Sequence, residues 1–259
     1  VGSGVCVTES GYILTNSHVV HDCNGITLFL SDKSTTTAQI VYEDTVLDLA
    51  ILKSKKAIPY LELGNSDELE VGQDILAVGT PLSLTLVHTF TKGIVSALNR
   101  TLKVSSTKGE GYMQNLIQHD ASLNPGNSGG PLFDVHGNDI GIVSAKHRGA
   151  ENVGYAIKAS YLRNLMESAV STNILPQNNK ISGMNLSGKV KAVKNYVYYI
   201  TCSSSGNVNA ISSSSSYSGN STYSSSTGQT FSYPSVNRNL ANSMKVVSVS
   251  LQDNQTVLT

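Results

Sequence analysis

The sequence predicts an all-β protein made of two antiparallel groups of short strands. Three observations carry that expectation. Up to residue 158, short β-branched and aromatic runs alternate with turn signals such as Glu9-Ser10-Gly11, Ser31-Asp32-Lys33 and Glu43-Asp44. The runs are too short and too regular for helices, and glycine-marked turns between them favour an antiparallel barrel or sandwich. Finally, the residues best suited to chemistry divide between the groups, with His18 and Asp48 in the first and Ser128 in the second. That division suggests two barrels facing a shared cleft.

In the first group the expected strands cover residues 5–7, 12–15, 25–30, 36–42 and 49–52. In the second they cover 74–78, 89–95, 115–119, 131–133, 140–144 and 154–157. Residues 160–170 then read as a helix. Leu162, Leu165, Met166 and Ala169 form a stripe at helical spacing that suits packing on the second barrel, and Ser160 suits the cap. Beyond residue 172 the composition turns polar, with a strand expected over 190–201. Residues 203–230 are dominated by Ser, with Gly, Asn, Thr and Tyr. Such a stretch offers little apolar surface to offset chain entropy. It reads as a linker, or as the loop-rich part of a small β module closed by residues 245–251. The expected division is therefore 1–172 and 173–259.

The 259 residues carry 18 basic and 18 acidic side chains, a formal net charge of zero. The balance is uneven, because Asp253 is the only acid after Glu167. Neither part is basic enough to suggest nucleic acid as a partner. No run of about eighteen apolar residues is present, so no membrane-spanning helix is expected. The three cysteines, Cys6, Cys23 and Cys202, do not form a disulfide framework. Free thiols are preferred, with a Cys6–Cys23 bridge as the alternative. No Cys/His spacing matches a zinc site, and no metal or other cofactor is expected.

The stretch Asn124-Pro125-Gly126-Asn127-Ser128-Gly129-Gly130-Pro131 is the most informative. A serine between glycines can sit on a tight turn with its hydroxyl exposed. The glycines let neighbouring N–H groups point at a developing negative charge. Upstream, Thr15-Asn16-Ser17-His18-Val19-Val20 supplies a histidine and Leu47-Asp48-Leu49-Ala50-Ile51-Leu52 an aspartate. An acid within that apolar run needs a partner, since an unpaired buried carboxylate is costly. His119 reads instead as a packing residue near the cleft.

These segments, together with Gly2-Ser3-Gly4, Val78-Gly79-Thr80-Pro81, Thr91-Lys92-Gly93-Ile94-Val95-Ser96 and Gln118-His119-Asp120-Ala121-Ser122-Leu123, resemble the trypsin-like serine peptidases, and within them the HtrA/Deg type. The resemblance covers roughly residues 1–167 and includes no recognisable PDZ segment. It implies two antiparallel β-barrels of chymotrypsin type. Because the chain opens on what would be the second strand, the first barrel is expected to lack one strand. The resemblance further implies a serine endopeptidase with His18, Asp48 and Ser128 as catalytic residues, and the backbone N–H groups of Gly126 and Ser128 as an oxyanion hole. Asn127 stands where digestive relatives carry an Asp that pairs with a freshly cut N-terminus, so no zymogen cleavage is expected.

By the same resemblance the substrate pocket is lined by Ser122, Leu123, Ser144, Ala145, Lys146, His147, Val153 and Tyr155. With no acid at Ser122, a buried Lys or Arg would lack a counter-ion. A small or medium aliphatic residue is expected, an acidic one being the alternative through Lys146-His147-Arg148. Protein or peptide substrates, an extracytoplasmic location, work in quality control or surface-protein processing, and trimers built through an N-terminal segment are all family expectations. The rivals are an idle interaction scaffold and a surface module in which the tail carries the main role.

Overall fold

The computed structural model describes residues 1–61, 63–80, 89–106, 109–124, 126–146, 152–170, 179–203, 220–224, 230–234, 249–252 and 255–258. In the first barrel lie β1 (Gly2–Cys6), β2 (Tyr12–Thr15), a single helical turn α1 (Ser17–Val20), β3 (Gly25–Phe29), β4 (Thr35–Asp44) and β5 (Leu49–Ser54). The second contains β6 (Asp74–Gly79), β7 (Thr89–Ser106), β8 (Gly109–His119), β9 (Pro131–Asp134), β10 (Asp139–Lys146) and β11 (Gly154–Lys158). After it come α2 (Ala159–Ala169), α3 (Leu186–Val193), β12 (Val197–Ser203), and the strands β13 (Asn220–Ser224), β14 (Thr230–Pro234), β15 (Val249–Gln252) and β16 (Gln255–Leu258).

The chymotrypsin-type double barrel is present. In the second barrel the strand order β7-β6-β9-β10-β11-β8 closes through a β7–β8 pairing. The first barrel corrects an expectation. It is closed, in the order β1-β12-β3-β4-β5-β2, and the place left for a missing strand is filled by β12. That strand runs antiparallel to β1, with Ser3 opposite Tyr199 and Val5 opposite Val197. On its other side it pairs with β3, with Ile200 opposite Leu28. Without β12, β1 and β3 would both present unpaired edges.

A continuous apolar run, Val197 to Ile200, buried throughout, explains why β12 enters. Tyr198 and Ile200 are fully buried and join Ile13, Val19, Val20, Leu28 and Leu52 in the first barrel's core. The Tyr198 hydroxyl donates to the Pro59 carbonyl at 2.6 Å, which satisfies its one polar atom. Phe29 and Tyr199 pack at a ring separation of 5.5 Å.

The thiols also depart from expectation. Cys23 and Cys202 form a disulfide, their Cα atoms 5.4 Å apart. Cys6 is the free, buried cysteine, and burial pushes its thiol up to about 12. The Cys23–Cys202 pairing spans 179 residues and follows from β12 lying beside β3. Neither the free-thiol reading nor the Cys6–Cys23 alternative foresaw it.

The strand expected over 190–201 is divided between α3 and β12. Asn185 caps α3 by accepting the Gly188 N–H at 2.8 Å, and Lys189 and Val193, one turn apart, are buried. The helix α2 starts after Lys158 without a side-chain cap; the Ser160 N–H donates to Ser66 Oγ instead. By contact density the chain forms one unit of Val1–Ser204 with Val246–Thr259, and a second of Ser205–Lys245. The boundary expected after residue 172 falls inside the first unit, because β12 belongs to the first barrel. Most of the Ser-rich stretch lies outside the described residues. The β13–β14 hairpin is described in the second unit.

Candidate active site

Each candidate side chain is held by a short, locally explicable device. Asp48 ends the turn between β4 and β5. The Asp44 carboxylate opens that turn by accepting the N–H groups of Val46 and Leu47, both at 2.9 Å. Asp48 itself takes φ +53°, a left-handed conformation that is uncommon outside glycine and tolerated best by Asp and Asn. His18 sits on α1, and its Nδ1 lies 2.8 Å from Asp48 Oδ2 and 2.9 Å from Oδ1. The His18 backbone N–H donates to the same carboxylate at 3.0 Å. Asn16 Nδ2 donates to the Asp48 carbonyl at 2.8 Å, which pins the turn to the start of α1. A carboxylate facing Nδ1 fixes the proton there and leaves Nε2 as the acceptor nitrogen.

The serine loop is clasped from the other barrel by Ser3. This residue is fully buried and all its polar atoms are engaged. Its N–H donates to the Ser128 carbonyl at 2.9 Å, and its hydroxyl donates to the Gly126 carbonyl at 2.7 Å. The hydroxyl also accepts the Thr80 N–H at 2.9 Å, and its carbonyl accepts from Thr15 Oγ1 at 2.7 Å. Gly129 needs to be glycine. It has φ +79°, and a Cβ there would lie 2.2 Å from the Ser3 carbonyl oxygen. Beside it, Gly2 marks where α1 and the serine loop meet. A Cβ on Gly2 would lie 2.5 Å from Val19 Cγ2 and 3.0 Å from the Ser128 carbonyl oxygen.

The structure thus joins His18 to Asp48 directly and brings the Ser128 backbone against α1. Among the described residues no hydrogen bond links the Ser128 hydroxyl to His18, and the N–H groups of Gly126 and Ser128 donate to no other residue. Asn127 is buried, with its side-chain oxygen unpaired against Gly79.

The expected pocket residues separate into groups. Ser122, Leu123 and Val153 line a cavity of about 220 Å³ together with Ala121, Asn124, Asn152 and Gly154. Ser144 does not line it. Its hydroxyl, 3% exposed, donates to Asp48 Oδ2 at 3.2 Å and so steadies the carboxylate from the second barrel. Tyr155 is likewise absent from the lining and packs with Met113, Leu116 and Ile142. Ala145 and Lys146 lie in β10 opposite Tyr155 and Gly154. His147 lies outside the described residues. A larger cavity of about 650 Å³, lined in part by Met113, Leu116, Ile157 and Tyr161, contains none of the candidate residues, so size does not locate the chemistry.

Sequence reasoning singled out neither Ser3 nor Asn16, nor the hydrogen bond from Ser144 to Asp48. The signal for Ser3 was the serine between two glycines in an apolar strand. His119 proves to be a fully buried imidazole with both nitrogens unpartnered. Burial lowers its pKa to about 4, against a smaller raising effect of Asp120. It lies close to Gly154, which lines the small cavity: a Cβ there would lie 2.5 Å from His119 Cε1.

Two antiparallel barrels, with the His18–Asp48 pair on the first and the glycine-framed Ser128 loop on the second, have the architecture of the chymotrypsin fold. Residues 2–142 match the family model described as trypsin-like peptidase domain, and the chain belongs to that family. The serine protease Do-like HtrB of Bacillus subtilis (strain 168) is 40% identical over 178 residues, which is 67% of this chain and 37% of that protein. A probable periplasmic serine endoprotease, DegP-like, of Pseudomonas putida (strain GB-1) is 45% identical over 145 residues, 56% of this chain and 29% of its own. Among solved structures, the HtrA-type protease AlgW with tripeptide superposes with a TM-score of 0.59 at 37% identity, covering 67% of this chain and 56% of that one. The chain therefore spans about a third of the curated relatives it matches.

Proposed function

We propose that the protein is a serine endopeptidase that hydrolyses peptide bonds of protein substrates through an acyl-enzyme. Ser128 Oγ attacks the scissile carbonyl while His18 Nε2 takes its proton. The proton then passes to the leaving amine, and the acyl group remains as an ester on Ser128. A water molecule, deprotonated by the same nitrogen, releases the carboxylate product and restores the serine. Asp48 holds the imidazole with its proton on Nδ1 and stabilises the imidazolium formed during attack. The N–H groups of Gly126 and Ser128 receive the oxyanion, each such donor being worth about 3–4 kcal/mol in comparable sites.

The observation that carries this reading is the 2.8 Å His18–Asp48 contact beside a serine loop anchored across the barrels by Ser3. In this reading the Ser128–His18 hydrogen bond forms as substrate fills the cleft, a common behaviour of unliganded sites. Leu123 and Val153 in the small cavity favour a Val, Ala or Leu side chain before the cleaved bond. An extracytoplasmic location, work in quality control or surface-protein processing, and assembly as a homo-oligomer belong to the same reading; the periplasmic naming of the Pseudomonas relative and the disulfide support the location.

The test is covalent labelling by a fluorophosphonate probe alongside casein digestion. The parent should label at one site and digest casein, and Ser128→Ala should do neither. A parent chain that is folded yet inert in both assays would refute the assignment.

A further inference from the structure

The strand that completes the first barrel carries, one residue before its end, a cysteine bonded to the segment that follows His18. The helical turn α1 has four residues, too few to be stable alone, and Asn16 gives it no side-chain cap. Its position is set by outside tethers. Glu43 on β4 supplies one, its Oε1 lying 2.6 Å from both Ser17 Oγ and His21 Nδ1. The second comes from β12. Cys23 lies three residues past the turn, its N–H bonded to the Val20 carbonyl at 3.2 Å, and its sulfur is bonded to Cys202 of β12. The Asn24 N–H donates to the Ser203 carbonyl at 2.9 Å, so chain and disulfide join the same two strands. Val19 and Val20 share a core cluster with Tyr198 and Ile200, so a shift of β12 is felt at the residues flanking His18.

We propose that the Cys23–Cys202 disulfide positions the His18 imidazole and acts as a redox latch on the active site. The proposal rests on the peptidase reading for its kinetic consequences. Both cysteines are partly exposed, so a dithiol reductant can reach them. One thiolate of the dithiol attacks a sulfur of the bridge and forms a mixed disulfide, releasing the other cysteine as a thiol after protonation. The second thiol of the reductant displaces the remaining cysteine. Two electrons pass to Cys23 and Cys202, and the reductant leaves as its own disulfide. β12 then keeps its strand pairing and buried side chains, and α1 keeps its bonds to Glu43 and Asp48 but loses its covalent tether to β12. His18 and Asp48 remain neighbours in a looser geometry that is less suited to proton transfer.

The experiment compares the full chain, oxidised and after treatment with dithiothreitol, with thiol content measured by alkylation and mass. On reduction kcat for a peptide substrate should fall about tenfold or more while KM stays within about twofold, and reoxidation should restore it. Cys202→Ser should sit at the reduced level under both conditions, whereas Cys6→Ser should respond like the parent. The His18 ring-nitrogen resonances should shift and broaden on reduction, while far-ultraviolet circular dichroism is unchanged. Full reduction with kcat held within about twofold would overturn the proposal. So would global unfolding on reduction, which would make the bridge a support for the whole fold. If the oxidised chain does not label at all, the peptidase reading fails separately. The His18 resonances then decide, and their insensitivity to reduction would sink the latch.

Discussion

Ser3 makes contacts that no local reading of the sequence reveals. Its hydroxyl partner Gly126 lies 123 positions away, and nothing in Gly2-Ser3-Gly4 indicates which element it meets. His18, Asp48 and Ser128 stood out as candidates because each carries chemistry in a restricted setting: an acid in an apolar run, or a serine among glycines. The contribution of Ser144 did not, since a hydroxyl in a strand serves a pocket wall and a carboxylate equally well. Ser3→Ala leaves the Gly126 carbonyl and the Thr80 N–H without their partner, at an expected cost of about 1–3 kcal/mol in denaturant titration. The same variant should label more slowly with the probe, because the loop that carries Ser128 loses an anchor. His119 gives a second test at this scale. Its folded-state pKa is lowered to about 4, so its neutral form is favoured by folding. That contribution is complete above the unfolded value near 6.5 and declines as pH falls toward 4. At pH 4.5 it amounts to a loss of about 2–3 kcal/mol. His119→Leu should therefore lose less stability than the parent between pH 7 and 4.5, measured by chemical denaturation. Parallel pH curves for the two proteins would refute this account.

At the scale of elements, strand identities were readable because short β-branched and aromatic runs stand between clear turn signals. Residues 12–15 match β2, and the runs expected at 25–30 and 49–52 reappear as β3 and β5. The lengths of β7 and β8 were underestimated. Their extension past Val95 and before Asn115 contains Asn99-Arg100-Thr101-Leu102-Lys103, polar enough to read as a loop. Pairing across bulges near Val95, Ala97 and Arg100 carries the two strands on regardless. The stretch 190–201 failed for a different reason. Val190, Ala192 and Val193 suit strand or helix, and the choice was made upstream by Asn185, whose side chain satisfies the Gly188 N–H. Removing that cap with Asn185→Ala should cost about 1 kcal/mol and lower the midpoint of thermal unfolding by about 2–4 °C. Circular dichroism melts measure this directly, and an unchanged midpoint would show that packing of Val193 alone fixes the helix.

The whole molecule depends on a closure between segments nearly the full length of the described core apart. Contact between β1 and β12 was illegible because strand pairing at such separation leaves no local period in the sequence; only Tyr196-Val197-Tyr198-Tyr199-Ile200 marked a strand without naming its neighbours. The energetic weight of this closure is large. Val197, Tyr198 and Ile200 are fully buried, and burial of each such side chain is worth about 1.5–3 kcal/mol. In the chain-entropy account, a bridge closing a loop of this length adds about 5 kcal/mol. The sum rivals the whole net stability of an ordinary domain, about 5–15 kcal/mol. Two truncations should therefore differ sharply. A chain ending at Ser204 retains β12 and the disulfide, and should keep a cooperative melt and probe labelling close to the parent. A chain ending at Thr172 leaves β1 and β3 unpaired and exposes the apolar residues that Tyr198 and Ile200 cover. It should aggregate or melt without cooperativity, and fail to label Ser128. Should the shorter chain label as fast as the longer one, β12 would be dispensable to the arrangement of His18 and Asp48, and closure of the first barrel would have no part in forming the site.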